Sequence, residues 1–298
     1  MSTKRRLQLP AQTGILPTSP AGTIGTFNIP LGYRYHQINL VYIDGTGAPT
    51  DMRTMFADVD ILRNGTYERT HSSLELDHLN NINGTGYGLQ QVGAGATQRQ
   101  TQTIFLAEPW RKDKSDTDFM AWSVDAANGF KTFQLNCTLA AAFPATGQLM
   151  AWALVDAPIA PPKGGFQSVK KVYRVQIPAS GLSNDVNTLD ERDAYQTLLL
   201  KNPTGAFISS VTLKLGGNLI LDNVQQYDNG AQLTNWGLNP SISQVAGSFG
   251  FDIVLDGDDP INSALGVNTA NAPWLKLNYS AAATGNVIAL VERLGTLD

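Results

Sequence analysis

At 298 residues the chain is long enough for two domains or one large one, and 42% hydrophobic residues let each half bury a core. Only 15% of residues are charged and the net charge is -4, which excludes a disordered chain and a general nucleic-acid binder. One cysteine excludes an internal disulfide framework and a cysteine-based zinc cluster.

The N-terminal segment 1–20 carries Lys4, Arg5 and Arg6, then Pro10, Pro17 and Pro20. It is expected to be an irregular arm, either frayed or lying on an anionic surface or a neighbouring subunit. No apolar stretch follows the basic residues, so the segment does not read as a signal peptide. No run approaches the roughly 18 apolar residues of a membrane span.

Strand-like runs follow at short spacing. Thr23–Ile29 ends at Pro30, and Gln37–Ile43 ends at Asp44-Gly45-Thr46-Gly47. Asp58–Arg63 runs into Asn64-Gly65, a strong hairpin signal, with Thr66–Ser72 returning from it. Leu74–Asn80, with Leu76 and Leu79 three apart, is the helical-looking piece, and Asn83 to Gln98 is a glycine-rich loop. Gln100–Glu108, Phe119–Asp125, Lys131–Leu139 and Gln148–Val155 complete eight predicted strands. In Lys131–Leu139 the side chains of Phe133, Leu135, Cys137 and Leu139 share one face. Pro158, Pro161, Pro162, Gly164 and Gly165 then predict a stiff linker over 157–171 and a domain boundary there.

The second half repeats the order. Val59-Asp60-Ile61-Leu62-Arg63-Asn64-Gly65 returns as Val211-Thr212-Leu213-Lys214-Leu215-Gly216-Gly217, an offset of 152 residues. Leu135-Asn136 returns as Leu277-Asn278, an offset of 142, as differing loop lengths would produce. Val172–Ile177 before Pro178 matches Thr23–Ile29 before Pro30, and Tyr195–Leu200 matches the second strand. Asn218–Val224 returns from the repeated turn, and the polar piece Gln225–Trp236 sits where the first half has its helix. Gly250–Leu255, a run near Ala264–Val267, Trp274–Tyr279 and Asn286–Leu294 bring this half to eight as well. Eight alternating strands and a short helix, twice, predict an all-β chain of two tandem jelly-roll sandwiches, over 21–156 and 172–298.

A resemblance adds to this. Ala21-Gly22-Thr23-Ile24-Gly25-Thr26-Phe27-Asn28-Ile29-Pro30-Leu31-Gly32, then Tyr35 and Ile38-Asn39-Leu40-Val41-Tyr42, resembles the opening of corticovirus-type major capsid proteins. These are double jelly-roll coats of tailless icosahedral phages. Val59–Gly65, Thr101–Pro109, Phe119–Leu139 and Leu275–Gly295 continue in the order of that family. The resemblance implies a homotrimeric, pseudo-hexagonal capsomer of a virion shell, made in the host cytoplasm. Its partners would be neighbouring capsomers and other virion proteins, such as a pentameric vertex protein. Lys4, Arg5 and Arg6 would then face an internal lipid membrane or the genome.

Catalytic chemistry is not legible. His36, His71 and His78 lack further ligands at metal spacing and read as solvated or edge residues. Cys137 reads as a core residue. The acidic turn Asp256-Gly257-Asp258-Asp259 is a Ca²⁺ candidate through Asp256, Asp258 and Asp259, but it lacks the closing glutamate of a full loop. No catalytic or cofactor-binding residue is assigned, and a structural Ca²⁺ is the single cofactor considered. Two other readings stay open. A tandem jelly-roll carbohydrate-binding or receptor-binding spike could stack sugars on Tyr87, Trp110 and Trp236. A carbohydrate-active enzyme would need two of Glu75, Asp77 and Glu108 to converge.

Overall fold

The computed structural model of the chain describes residues 3–15, 19–43, 51–93, 98–111, 118–141, 143, 147–160, 167–190, 193–215, 217–255, 265–266 and 273–296. It divides into two compact units. The first comprises Met1–Asn81, Thr85–Lys170 and Thr296–Asp298; the second comprises Ile82–Gly84 and Lys171–Gly295.

The first unit contains β1 (Arg5–Gln8), β2 (Ile24–Asn28), β3 (Tyr33–Ile43), β4 (Phe56–Arg63) and β5 (Thr66–His71). Helix α1 (Ser73–Ile82) follows, then β6 (Gln90–Val92), β7 (Arg99–Phe105), β8 (Trp122–Val124), β9 (Phe133–Leu139) and β10 (Gln148–Asp156). One antiparallel sheet runs β1-β10-β3-β7-β6, with β8 paired to β3. The other runs β5-β4-β9-β2. Ile38, Leu40, Ala151 and Ala153 of the first sheet share a core with Phe27, Val59, Ile61 and Leu135 of the second. The pleat dictates this: in β9 Phe133, Leu135, Cys137 and Leu139 are buried and the residues between them half-buried. Asn64 and Gly65, at φ 53° and 84°, supply the two left-handed residues of the tight turn from β4 to β5.

The second unit contains β11 (Ser168–Pro178), β12 (Gly181–Val186), β13 (Ala194–Lys201), β14 (Ile208–Leu215) and β15 (Asn218–Gln225). Helix α2 (Gln226–Asn235) follows, then β16 (Phe249–Val254), β17 (Leu265–Gly266), β18 (Pro273–Ala283) and β19 (Asn286–Thr296). Its sheets run β11-β19-β13-β16, with β17 on β13, and β12-β18-β14-β15.

Setting aside the minor strands β6, β8 and β17, each unit has eight principal strands in one plan. The first, eighth, third and sixth form one sheet; the second, seventh, fourth and fifth form the other. That order is two interlocked Greek keys, a jelly roll. Local features repeat with it. The hydroxyls of Tyr35 and Tyr195 each donate to the carbonyl five residues upstream, Pro30 and Asp190. In each unit a helix between the fifth and sixth strands is pinned by a buried amide. Asn80 donates to the Thr103 carbonyl on β7 at 2.7 Å, and Asn229 to the Asp252 carbonyl on β16 at 2.5 Å.

Several sequence expectations are corrected. Residues 5–8 are not irregular arm: Arg5–Gln8 pair with Val155, Leu154, Ala153 and Trp152 as the first principal strand. The counterpart of the Thr23–Ile29 stretch is therefore β12, not the Val172–Ile177 stretch, because β11 takes the place of β1. The predicted Phe119–Asp125 strand shrinks to Trp122–Val124 beside β3, and the run near Ala264–Val267 to Leu265–Gly266. Both lie outside the eight-strand plan, while β1 and β12 supply the missing members. β11 begins at Ser168, inside the stretch expected as linker.

Candidate functional site

The basic N-terminal residues lead into a charged cluster of the first unit. Lys4 Nζ lies 2.6 Å from Asp118 Oδ1. Asp118 also faces Nδ1 of His36 at 3.2 Å, and Asp156, at the end of β10, faces Nε2 at 3.3 Å. The Asp118 carbonyl accepts from Arg34. His36 is 3% exposed, so the expectation of a solvated histidine is overturned; His71 is likewise buried at the end of β5. Burial and the Lys4 charge hold the His36 imidazole below its ordinary value, against the upward pull of Asp118 and Asp156. Arg5 lies 5.2 Å over the Tyr33 ring and Arg6 4.9 Å over Trp152. All three basic side chains thus have partners within the first roll.

The candidate carboxylates are each engaged locally. Glu75 closes a capping box at the start of α1: the Ser72 amide donates to Glu75 Oε2 at 2.7 Å, and the Glu75 amide to Ser72 Oγ at 3.2 Å. Asp77 accepts from the Leu89 amide at 2.6 Å. Glu108 is 1% exposed, with Lys170 Nζ at 2.5 Å and Arg111 Nε at 2.9 Å. Burial raises its carboxyl, but Lys170 and Arg111 outweigh that and hold it below the usual range. These are anchoring tasks, not the facing pair a glycosidase uses.

The candidate sugar-stacking rings fare similarly. Tyr87, Phe105 and Trp110 meet edge to face, with centroids 5.4–5.5 Å apart, and Lys170 lies 5.3 Å over Trp110. Trp236, at the end of α2, is 52% exposed. Cys137 is fully buried on β9, where burial and Asp60 push its thiol upward. Asp256, Asp258 and Asp259 lie outside the described residues. Among the described residues, no three His, Cys, Asp or Glu side chains group to hold a metal ion, and no helix is long and apolar enough to cross a membrane.

What the molecule presents is therefore a pair of jelly-roll sandwiches, and their plan can be compared directly. No family model and no curated protein matches the chain. Solved structures do. The major capsid protein of bacteriophage PM2 is similar over 99% of this chain and 98% of its own, at TM-score 0.73 and 16% identity. The chain has the double jelly-roll fold. The PBCV-1 virus capsid structure is similar over 99% of this chain and 94% of its own, at TM-score 0.63 and 10% identity. The Faustovirus major capsid protein is similar over 100% and 90%, at TM-score 0.59 and 7% identity. Identities this low carry the fold and leave function to be argued from the molecule. The double jelly roll does not depend on one residue set: its eight-strand plan persists while nearly nine residues in ten change.

Proposed function

We propose that the chain is a structural major capsid protein, assembling as a homotrimer into pseudo-hexagonal capsomers of an icosahedral shell. The observation that carries this reading is the doubled eight-strand plan in one chain, the plan of the PM2 capsid protein over nearly its whole length. Two similar rolls per chain give three chains six similar blocks around a threefold axis. Such a ring closes through contacts between unlike faces of neighbouring copies. Neighbouring capsomers, and a separate pentameric vertex protein where the shell must curve, are the partners this assembly needs. Each roll would be one building block, joined through the segment between the end of β10 at Asp156 and the start of β11 at Ser168. An anionic membrane or genome contact is proposed for the segment Lys4–Arg6, with Arg5 and Arg6 its exposed cations. Lys4 is paired with Asp118, and Arg6 belongs with β10.

The test is mass in solution and shape on a grid. Light scattering should give about three times the 32.1 kDa chain, or larger particles, and negative-stain images should show hexagonal outlines. A monomer across a wide concentration range, with no assembly when other virion components are supplied, overturns the reading.

A further inference from the structure

The two rolls differ at one equivalent place. In the first, β10 and β3 pair so that Ala151 faces Leu40 and Ala153 faces Ile38. In the second, β19 and β13 pair so that Ala289 faces Leu200 and Val291 faces Leu198. All eight point into their own cores. The residues between them point the other way. In the second roll these outward pairs are buried: Leu290 and Leu199 are both 0% exposed, and Glu292 and Thr197 are 5% and 6%. In the first roll the matching pairs are Trp152–Asn39 and Leu154–Gln37, and they are less completely buried: Asn39 is 3% exposed, but Trp152, Leu154 and Gln37 are half-buried. One pair further along, Met150, opposite Val41, is 39% exposed, where the corresponding Ile288 and Lys201 of the second roll are half-buried. Arg6, itself exposed, lies over the Trp152 ring.

We propose that this outward face of β10 and β3 is covered by a second copy of the same chain, with Trp152 under Arg6 at its centre. The inference rests on the capsid reading above and names the face through which copies meet. Three observations favour this occupant. The same pair of strands, in the same register, is sealed in the other roll, so one plan leaves one such face uncovered. Trp, Met and Arg are the residue types enriched at the centres of protein interfaces, and Trp and Arg dominate binding hot spots. The half-buried amide of Gln37 on this face suits a protein surface and would be costly against lipid chains. The strip measures about 300 Å², from roughly three strands 4.8 Å apart and six residues of 3.4 Å rise. A stable contact needs about 800 Å² per partner, so the strip is the apolar centre of a wider, more polar interface.

Methionine oxidation tests this on the full-length protein without mutation. Met52, Met55 and Met120 are 0% exposed and serve as internal references. Met150 should oxidise readily in dilute, dissociated protein and several-fold more slowly in the trimer. The double variant M150K/L154E should run as a monomer with an unchanged circular dichroism spectrum; if it fails to fold, the oxidation result decides alone. A wild-type oligomer with Met150 as reactive as in the dissociated chain overturns this inference and leaves the capsid reading standing. Protection that appears only with lipid vesicles or another virion protein also overturns it, by naming another occupant. A wild-type monomer under all conditions removes the capsid reading itself.

Discussion

His36 sits where a charge is both invited and resisted. Asp118 and Asp156 face its two nitrogens, Lys4 stands beyond Asp118, and Arg34 holds the carbonyl of that aspartate. Burial and Lys4 prevail and its imidazole is held down. An unfolded histidine titrates near 6.5. Below about pH 6.5 the unfolded chain therefore takes up a proton that the folded chain refuses, and stability falls until the folded value is passed. His36→Gln should flatten this loss, since Gln196 follows Tyr195 in β13 just as His36 follows Tyr35 in β3. Melting temperatures from pH 7.5 to 5 check it; equal slopes for both proteins would place the acid sensitivity elsewhere. Glu108, held below the usual carboxylate range by Lys170 and Arg111, contributes stability wherever it is ionised and loses it only in strong acid. Glu108→Ala removes the carboxylate beside the buried Lys170 ammonium and should cost about 3–5 kcal/mol in denaturant unfolding, the range for breaking a buried pair from one side.

The elements divide by how they are held. Strands β3, β4, β9, β13, β14 and β18 lie inside their sheets; β9 buries alternate apolar residues, whereas β13 buries Leu198, Leu199 and Leu200 in succession. Helix α2 is held otherwise: of its buried residues Gln226, Asn229, Gly230 and Leu233, one is a large hydrophobe. Its attachment is amide to backbone, Asn229 to the Asp252 carbonyl and Gln226 to those of Ser243 and Gly250. Asn229→Ala should leave a buried carbonyl without that donor and cost about 1–3 kcal/mol. Amide exchange would locate the effect, with faster exchange across Gln226–Asn235 expected; unchanged rates there would contradict the anchoring role. Strand β1 is held by backbone pairing to β10. Deleting residues 1–8 should bare the β10 edge, lower the melting temperature and promote aggregation, because an open edge recruits other strands. A loose tail would be removed without effect.

For the whole molecule, trimerisation should appear as mass action. If the folded chain associates and the unfolded chain does not, raising protein concentration raises the melting temperature. Calorimetry at two concentrations tenfold apart checks this, and a melting temperature independent of concentration would argue for a monomer. The experiment complements Met150 protection: one asks whether copies meet, the other through which face.

How much of this was written in the sequence depends on where each residue's free energy comes from. Interior strands were legible because the pleat forces apolar residues to every second position, as Phe133, Leu135, Cys137 and Leu139 show. The duplication was legible for the same reason, together with turn residues such as Asn64-Gly65 whose backbone few other pairs can adopt. Strands β1 and β12 were not, since Arg5–Gln8 and Gly181–Val186 keep most side chains in solvent and are specified by the neighbour's backbone. The helical state of Gln226–Asn235 was missed because its amides find partners only once β16 is in place. The His36 cluster joins residues 4, 36, 118 and 156, and the Glu108 cluster 108, 111 and 170; neither leaves a local pattern. The sequence alone thus determined an all-β, doubled chain, through local periodicity and turn chemistry. Tertiary structure alone decided which polar residues go inside and which apolar ones stay out, because that depends on partners distant along the chain.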